Sequence, residues 1–384
     1  VLARLREERS RIATLLPQVP AALRKAYEQE TPPFSIILMN RVEECAPVRM
    51  DAPLNLLAAR GSVSLTGCMS AKDTPLELYD VTSMHDSIIL FERANLMPTA
   101  NVRQMLAEAA SHGSIVLQEM DDHPNVNEAA ARDHYFLFRA VSAVQTSTKY
   151  LADYLRKFNP YVYLFENQLA ELPFARSYEG NASQVTIFFG ALNRRADWEP
   201  LMPSINAAIQ EHGDRLYFRV VSDYTFYQQL RTEQKSYVGG TQDGSVVAPY
   251  ERYVEELHAS DIALLPLNDT EFNRAKSDLK FIEAAGNGAA VLAAPTVYAA
   301  TVRDGETGLI YRSPKEFAQK LDLLIRRADL RRTLAENAYR YVAEHRLLAG
   351  HLDEYMNVYR ELFDRREELE RERLRRVAEF FPHL

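Results

Sequence analysis

DIALLPLNDTEFNRAKSDLKFIEAAGNGAAVLAAP, residues 261–295, decides the fold. It opens on a short unbroken apolar run (261–267) and passes through the polar loop NDTEFNRAK. It continues as the helix-like SDLKFIEAA and closes on a second apolar run, AAVLAAP (289–295). Strands covered on both faces read as such unbroken runs, and a helix between two of them makes a parallel βαβ unit. The same alternation extends outward, upstream through RLYFRVVSD (215–223) and QVTIFFG (184–190). Earlier still come FSIILMN (34–40), DSIILFE (86–92), SIVLQE (114–119) and AVSAVQTS (140–147), with the helix-like NVRQMLAEAASHG (101–113) between. One polar stretch breaks the rhythm, ENQLAELPFARSYEGNAS (166–183), which contains Pro173 and Gly180. The pattern predicts two doubly wound α/β domains, over residues 1–170 and 183–350, joined near 168–182.

A chain of 384 residues is too long for one ordinary core, and 47% hydrophobic residues suit a globular protein. The net charge of −8 argues against a general nucleic-acid binder, which carries a basic face. No apolar run reaches the length of a membrane span, and no signal peptide is visible. Cys45 and Cys68 are the two cysteines. They form no metal-spaced cluster, and a reducing cytoplasm is the expected location. The chain opens on Val1, so it is read either as trimmed at its start or as a domain cut from a longer, multidomain chain.

Both ends look helical. Leu2, Leu5, Ile12, Leu15 and Leu16 make an apolar stripe near the start. From His351 onward Leu352, Tyr355, Met356, Tyr359, Leu362 and Phe363 recur at helical spacing, and the charged run DRREELERERLRR (364–376) follows. A solvated helix with one buried stripe and a helix that pairs with a partner or a second copy both fit.

The charges in 272–288 ask for an explanation. In open α/β sheets the helices point their N-termini at the crevice beyond the carboxyl ends of the strands. Ser277 suits an N-cap there, and a helix N-terminus favours an anion. At helical pitch Lys276, Lys280 and Glu283 fall within roughly 60° of one another. Two lysines side by side want a counter-charge, which a diphosphate supplies, and Glu283 can accept hydrogen bonds from ribose hydroxyls. A surface Lys–Glu pair, worth a few tenths of a kcal/mol, has the same spacing.

From Gly190 to Val342 the chain resembles the donor-binding domain of family 4 glycosyltransferases with the GT-B fold. FFGALNRRADW (188–198), NRAKSDLKFIEAAGNGAAVLAAPT (273–296) and RDGETGLIY (303–311) carry the resemblance, with VLQEMDDHPNV (116–126) a fainter match in the first half. It implies two Rossmann-like domains facing a cleft and a C-terminal helix, 351–384, that crosses back to the first domain. It also implies transfer of a sugar from a UDP- or GDP-sugar to a glycan, protein or other hydroxyl acceptor, with retention and without a metal or other cofactor. Glu283 matches the second acid of the E-x7-E motif, which holds the ribose. The first acid falls on Ala275, so Asn273 or Lys276 becomes the candidate for reading the sugar.

Gly190, the first residue of GALNRRADW, would let backbone approach a phosphate, and Arg194 or Arg195 could fork onto it, unless the pair is simply solvated. The turn VVAPYERY (246–253), with Val247, is where related enzymes read the nucleobase. PTVYAATV (295–302) could present backbone N–H groups, and RDGET is a turn with glycine at positive φ. On the acceptor side Asp121, Asp122 and His123 close a first-domain strand, with Glu92 and His85 beside it. A helix-capping loop is the alternative for QEMDDHP. Lys280, Lys276, His123 and Asp121 are the expected catalytic groups, with Asp122 and Glu92 at the acceptor. His112, His134 and His212 read as packing or surface residues. A GT-B nucleotide-sugar epimerase and a degenerate binding module remain the rival functions.

Overall fold

The computed structural model describes residues 34–39, 45–67, 84–126, 128–176, 184–239 and 248–381. The N-terminal apolar stripe, Cys68, Gly180 and Val247 lie outside them. The first sheet is built from β1 (Ser35–Met39), β2 (Ser64–Gly67), β3 (Ser87–Glu92), β4 (Ile115–Met120), β5 (Ala143–Thr146) and β6 (Val162–Leu164). The second holds β7 (Val185–Gly190), β8 (Leu216–Val221), β9 (Lys235–Val238), β10 (Ile262–Leu265), β11 (Ala290–Ala293) and β12 (Leu309–Ile310). Their orders are β2-β1-β3-β4-β5-β6 and β12-β11-β10-β7-β8-β9, and every pairing is parallel. The sequence announces β1, β3, β4, β5, β7, β8, β10 and β11. The strands it leaves unannounced, β2, β6, β9 and β12, are the edges of the two sheets. An edge strand need not be apolar on both faces: β9, KSYV, is half-buried throughout, and β12 is two residues long.

In the second sheet the chain runs outward from β7 to one side and from β10 to the other, so the switch point lies between them. A ligand crevice opens beyond the carboxyl ends of strands at such a point. The carboxyl ends of the two sheets face one another. Lys276, beyond β10, pairs with Asp122, beyond β4, and the Thr148 hydroxyl beyond β5 donates 3.3 Å to the Ala275 carbonyl.

Two crossings join the domains, and they lie side by side. Leu169 N–H donates to Arg346 O and Leu348 N–H to Leu169 O, both at 2.9 Å, a one-step parallel bridge. After the second crossing the chain does return to the first domain, in two helices, Leu352–Asp364 and Arg366–Phe380. Leu352, Tyr355, Tyr359 and Leu362 bury the apolar stripe in the first-domain core, and Phe165 stacks on Tyr355 at 4.0 Å. The charged helix is tied down too, because Arg376 donates 2.8 Å to Val141 O. Among the described residues no helix is long and apolar enough to cross a membrane.

Candidate donor and acceptor cleft

The Leu279–Gly286 helix begins later than the sequence suggests. Asp278, not Ser277, stands at its N-cap, and the Asp278 side chain does not cap the helix. Arg346 holds that carboxylate instead, with Nη1 at 2.6 Å and Nη2 at 2.9 Å, and the Thr301 hydroxyl adds a third bond at 2.8 Å. The Ser277 hydroxyl receives a bond from Asn167 Nδ2 at 2.7 Å, and Asn167 Oδ1 is held in turn by Arg49 at 2.9 Å. Both crossings therefore grip the mouth of this helix. Lys276 precedes the helix, so the shared helical face expected for Lys276 and Lys280 does not exist. The cations converge through the fold instead: Arg194 and Lys276 both act on Lys280 electrostatically.

Burial pulls the Lys280 ammonium below the usual lysine range, with Glu283 pulling it back up and Arg194 and Lys276 pushing it further down. Glu283 is 3% exposed. Burial raises its pKa, against Lys280 and hydrogen bonds from the hydroxyls of Tyr250 and Tyr253. Both shifts favour the neutral forms, and an anion arriving beside Lys280 reverses the first. Lys280 Nζ lies 4.7 Å above the Tyr253 ring, and Tyr250 stacks on Tyr253 with 14° between planes. Sequence reading passed over these tyrosines. Their i, i+3 spacing on the Tyr250–His258 helix was the available signal.

Gly190 serves this cluster directly. A Cβ there would lie 2.6 Å from the Phe188 ring and 2.7 Å from the Tyr253 ring. The glycine makes room for the tyrosine beneath Lys280, a packing reason beside the expected phosphate approach.

Arg194 and Arg195 part ways. Arg194 donates 2.6 Å to Asn273 Oδ1 and reaches Asp197 at 3.3 Å. Arg195 is 63% exposed and pairs with Glu199, in the solvated arrangement. Asn273 is fully engaged, its Nδ2 donating to Asp197 Oδ1 at 2.9 Å and Asn268 O at 3.0 Å. It fixes Arg194 on Oδ1 and has no N–H left to donate to a sugar. Ala275 is 0% exposed and packs into the first-domain core, among residues that include Val144, Leu151 and Ala152.

On the opposite wall, among the described residues, neither aspartate side chain caps a helix. Asp121 accepts from Arg93 Nε at 2.5 Å. Burial alone would raise its pKa, but Arg93 outweighs that and holds it below the usual carboxylate range. Asp122 receives Lys276 Nζ on both oxygens, at 2.7 and 2.8 Å. The His123 ring is buried; its Nδ1 accepts from Asn125 N–H at 3.2 Å, and Nε2 lies 3.5 Å from Glu271 Oε1. Arg93, Asp122 and His123 line a cavity of about 160 Å³ with Met120, Ala130 and Leu137. That is below the roughly 300 Å³ of a small-molecule pocket, so it suits one part of a ligand. Glu92 is fully buried at the end of β3 and accepts from the Cys45 thiol at 3.3 Å. It lies inside the first domain, away from the solvent an acceptor would cross. His85 and His112 pack edge to face at 4.3 Å, and His134 lies edge-on to Phe381 at 6.4 Å.

Among the described residues, Glu211, His212 and Asp322 are grouped closely enough to hold a metal ion. Arg326 already pairs with both carboxylates. The group sits where the Met202–His212 helix leads into β8, at the amino ends of the strands and opposite the cleft. Gly305, in the RDGET turn, has φ +83°, the positive value expected of it.

The family model described as glycosyl transferase-like matches residues 206–357. Several solved structures share the architecture. HepE from Anabaena, in complex with UDP and glucose, is 11% identical with a TM-score of 0.58, over 85% of this chain and 100% of that one. A glycosyltransferase from Rickettsia africae ESF-5 is 13% identical with a TM-score of 0.57, over 86% and 98%. TarM from S. aureus is 12% identical with a TM-score of 0.52, over 72% of this chain and 55% of its own, so the chain spans about half of TarM. No curated protein matches the chain in sequence. The chain has the GT-B fold, and residues 206–357, most of its second domain, are similar to the glycosyl transferase-like family.

Proposed function

We propose that the protein transfers a sugar from a nucleoside diphosphate donor, a UDP- or GDP-sugar, to a hydroxyl of a glycan, protein or other acceptor, with retention. One observation carries the reading: Lys276 and Arg194 lie 4.4 and 5.9 Å from the same Phe272 ring, near Lys280 where the Leu279–Gly286 helix opens, with buried Glu283 one turn further in. That is a seat for a diphosphate with a ribose beside it. As the bond from the anomeric carbon to the diphosphate oxygen breaks, negative charge grows on the departing phosphate. Fixed cations stabilise it without having to reorganise. The acceptor hydroxyl attacks from the same face and passes its proton to the departing phosphate oxygen, so no protein nucleophile is needed. The first-domain wall at Asp121–His123 orients the acceptor, and the closed domains exclude water. The cations do the work of a metal, and the location is the cytoplasm.

A thermal-shift screen of UDP, GDP and their sugars, followed by product analysis with and without acceptor, tests this. Stabilisation by one nucleoside diphosphate and acceptor-dependent turnover is the expected result. Acceptor-independent conversion of the donor would point to an epimerase. Binding without turnover would point to a binding module, the reading that the apolar burial of Ala275 favours.

A further inference from the structure

The loop between β10 and the donor helix reaches across the cleft and is held on the far side. Glu271 Oε1 stands 3.5 Å from His123 Nε2. Ala275 is buried among first-domain core residues, and its carbonyl accepts the Thr148 hydroxyl at 3.3 Å. Lys276 Nζ donates to both oxygens of Asp122, at 2.7 and 2.8 Å. The loop arrives as a preformed strap. Thr270 caps the short helix Glu271–Arg274 by accepting from Asn273 N–H at 3.1 Å, and Asn273 Nδ2 ties that helix to Asp197 at 2.9 Å.

Of these contacts, the one at Lys276 has a rival. An ammonium has three N–H donors, and Asp122 takes two of them. The pair is largely withdrawn from water, with side chains 22% and 16% exposed, so it is stronger than a surface ion pair. Lys276 is also one of the cations of the donor seat, where it shares the Phe272 ring with Arg194. A diphosphate in that seat asks for the same ammonium and carries more charge than one carboxylate. Asp122 is not stranded when Lys276 turns away. The His123 backbone N–H donates to it at 3.0 Å, and Arg93 Nη2 lies 3.8 Å from it. The carboxylate is supported in both arrangements, which is what a switch requires.

We propose that Asp122 is an autoinhibitory group: it competes with the donor's diphosphate for Lys276, and holds the strap against the first domain until the diphosphate draws the lysine away. This rests on the donor seat proposed above. The lysine reorganises on donor binding, before the bond to the anomeric carbon breaks.

Calorimetry with UDP and GDP on the wild type, Asp122→Asn, Lys276→Met and the double variant tests this. Neither ligand carries a sugar and no acceptor is added, so the readout is independent of those parts of the cleft. Asp122→Asn should bind its nucleoside diphosphate about tenfold or more tightly than the wild type, the order of one charge-assisted hydrogen bond released for the ligand. On the Lys276→Met background the same substitution should gain less than about threefold, because the competition needs the lysine. Equal gains on both backgrounds would be the general field of a removed charge, and would overturn the proposal. So would no gain, or a loss, in Asp122→Asn. If Asp122→Asn does not fold, Asp122→Ser takes its place, and failure of both makes the residue structural and likewise overturns it. Wild-type binding without the gain removes the switch and leaves the donor seat standing. Absence of binding in the wild type and in Asp122→Asn removes the seat itself, and this inference with it.

Discussion

Arg346, on the returning crossing, binds both carboxylate oxygens of Asp278, the residue that opens the donor helix. The connection between the domains is thereby also part of the donor site. Arg346 is 5% exposed and also donates to Asn167 O at 2.7 Å and Gln168 Oε1 at 3.2 Å. Removing one partner of a buried ion pair strands the other, at about 3–5 kcal/mol. Arg346→Met should lower unfolding stability by that order, and Arg346→Lys should recover only part of it because the fork is lost. Chemical denaturation of both variants checks this.

Lys280→Ala should weaken nucleoside diphosphate binding by about 1.5–3 kcal/mol, roughly ten- to a hundredfold, through loss of a charge-assisted hydrogen bond. Unchanged affinity by calorimetry would remove Lys280 from the seat.

The pH dependence of binding follows from the same lysine. Its pKa in the free protein is depressed, chiefly by burial. A bound diphosphate prefers the protonated form, so affinity is full well below the folded-state pKa and falls as pH rises through it. That fall should begin below the ordinary lysine value of about 10.4. Titrating affinity from neutral to alkaline pH, against Lys280→Ala, should show an alkaline step in the wild type that the variant lacks.

Gly190→Ala should be costly despite its size. The added methyl would stand 2.6–2.7 Å from two aromatic rings, and overpacking of this kind costs about 1–3 kcal/mol. Because one ring is Tyr253, diphosphate affinity should fall along with the melting temperature. A melting temperature equal to wild type would show that the rings move aside freely.

Ala275→Glu would place a carboxylate at the family's first acid position, here inside an apolar contact between the domains. Burying an unpaired charge is expensive. The variant should lose several kcal/mol or hold its domains apart, which small-angle scattering would show as a larger radius of gyration.

How far the sequence reached depends on what each element has to bury. Interior strands such as IALL and AVLA are apolar on both faces and declare themselves. KSYV and SLTG, at the sheet edges, carry polar residues that no periodicity marks. Lys280 and Glu283 were legible because a helix N-terminus after a βα loop makes the chemistry local. Lys276 was placed on the wrong face, since the helix starts at Leu279 and its partner Asp122 is 154 residues away. Arg49, Asn167 and Arg346 went unmentioned for the same reason: their roles exist only once the two crossings lie together. Tyr250 and Tyr253 leave no mark of their role, because a tyrosine beside a buried acid looks in sequence like any core aromatic.

The pairing of Leu169 with Leu347 has a mechanical consequence. Two covalent connections placed far apart would fasten the halves like bolts at opposite corners and leave them little freedom. Placed against each other, they act as a single pin, and the halves can swing about one line. Opening the mouth then requires no unfolding, but release of the Asp122–Lys276 clasp, the His123–Glu271 pair and the Ala275 contact. The donor helix is fastened at the pin itself, through Asp278 and Ser277, so its mouth stays in place when the halves swing.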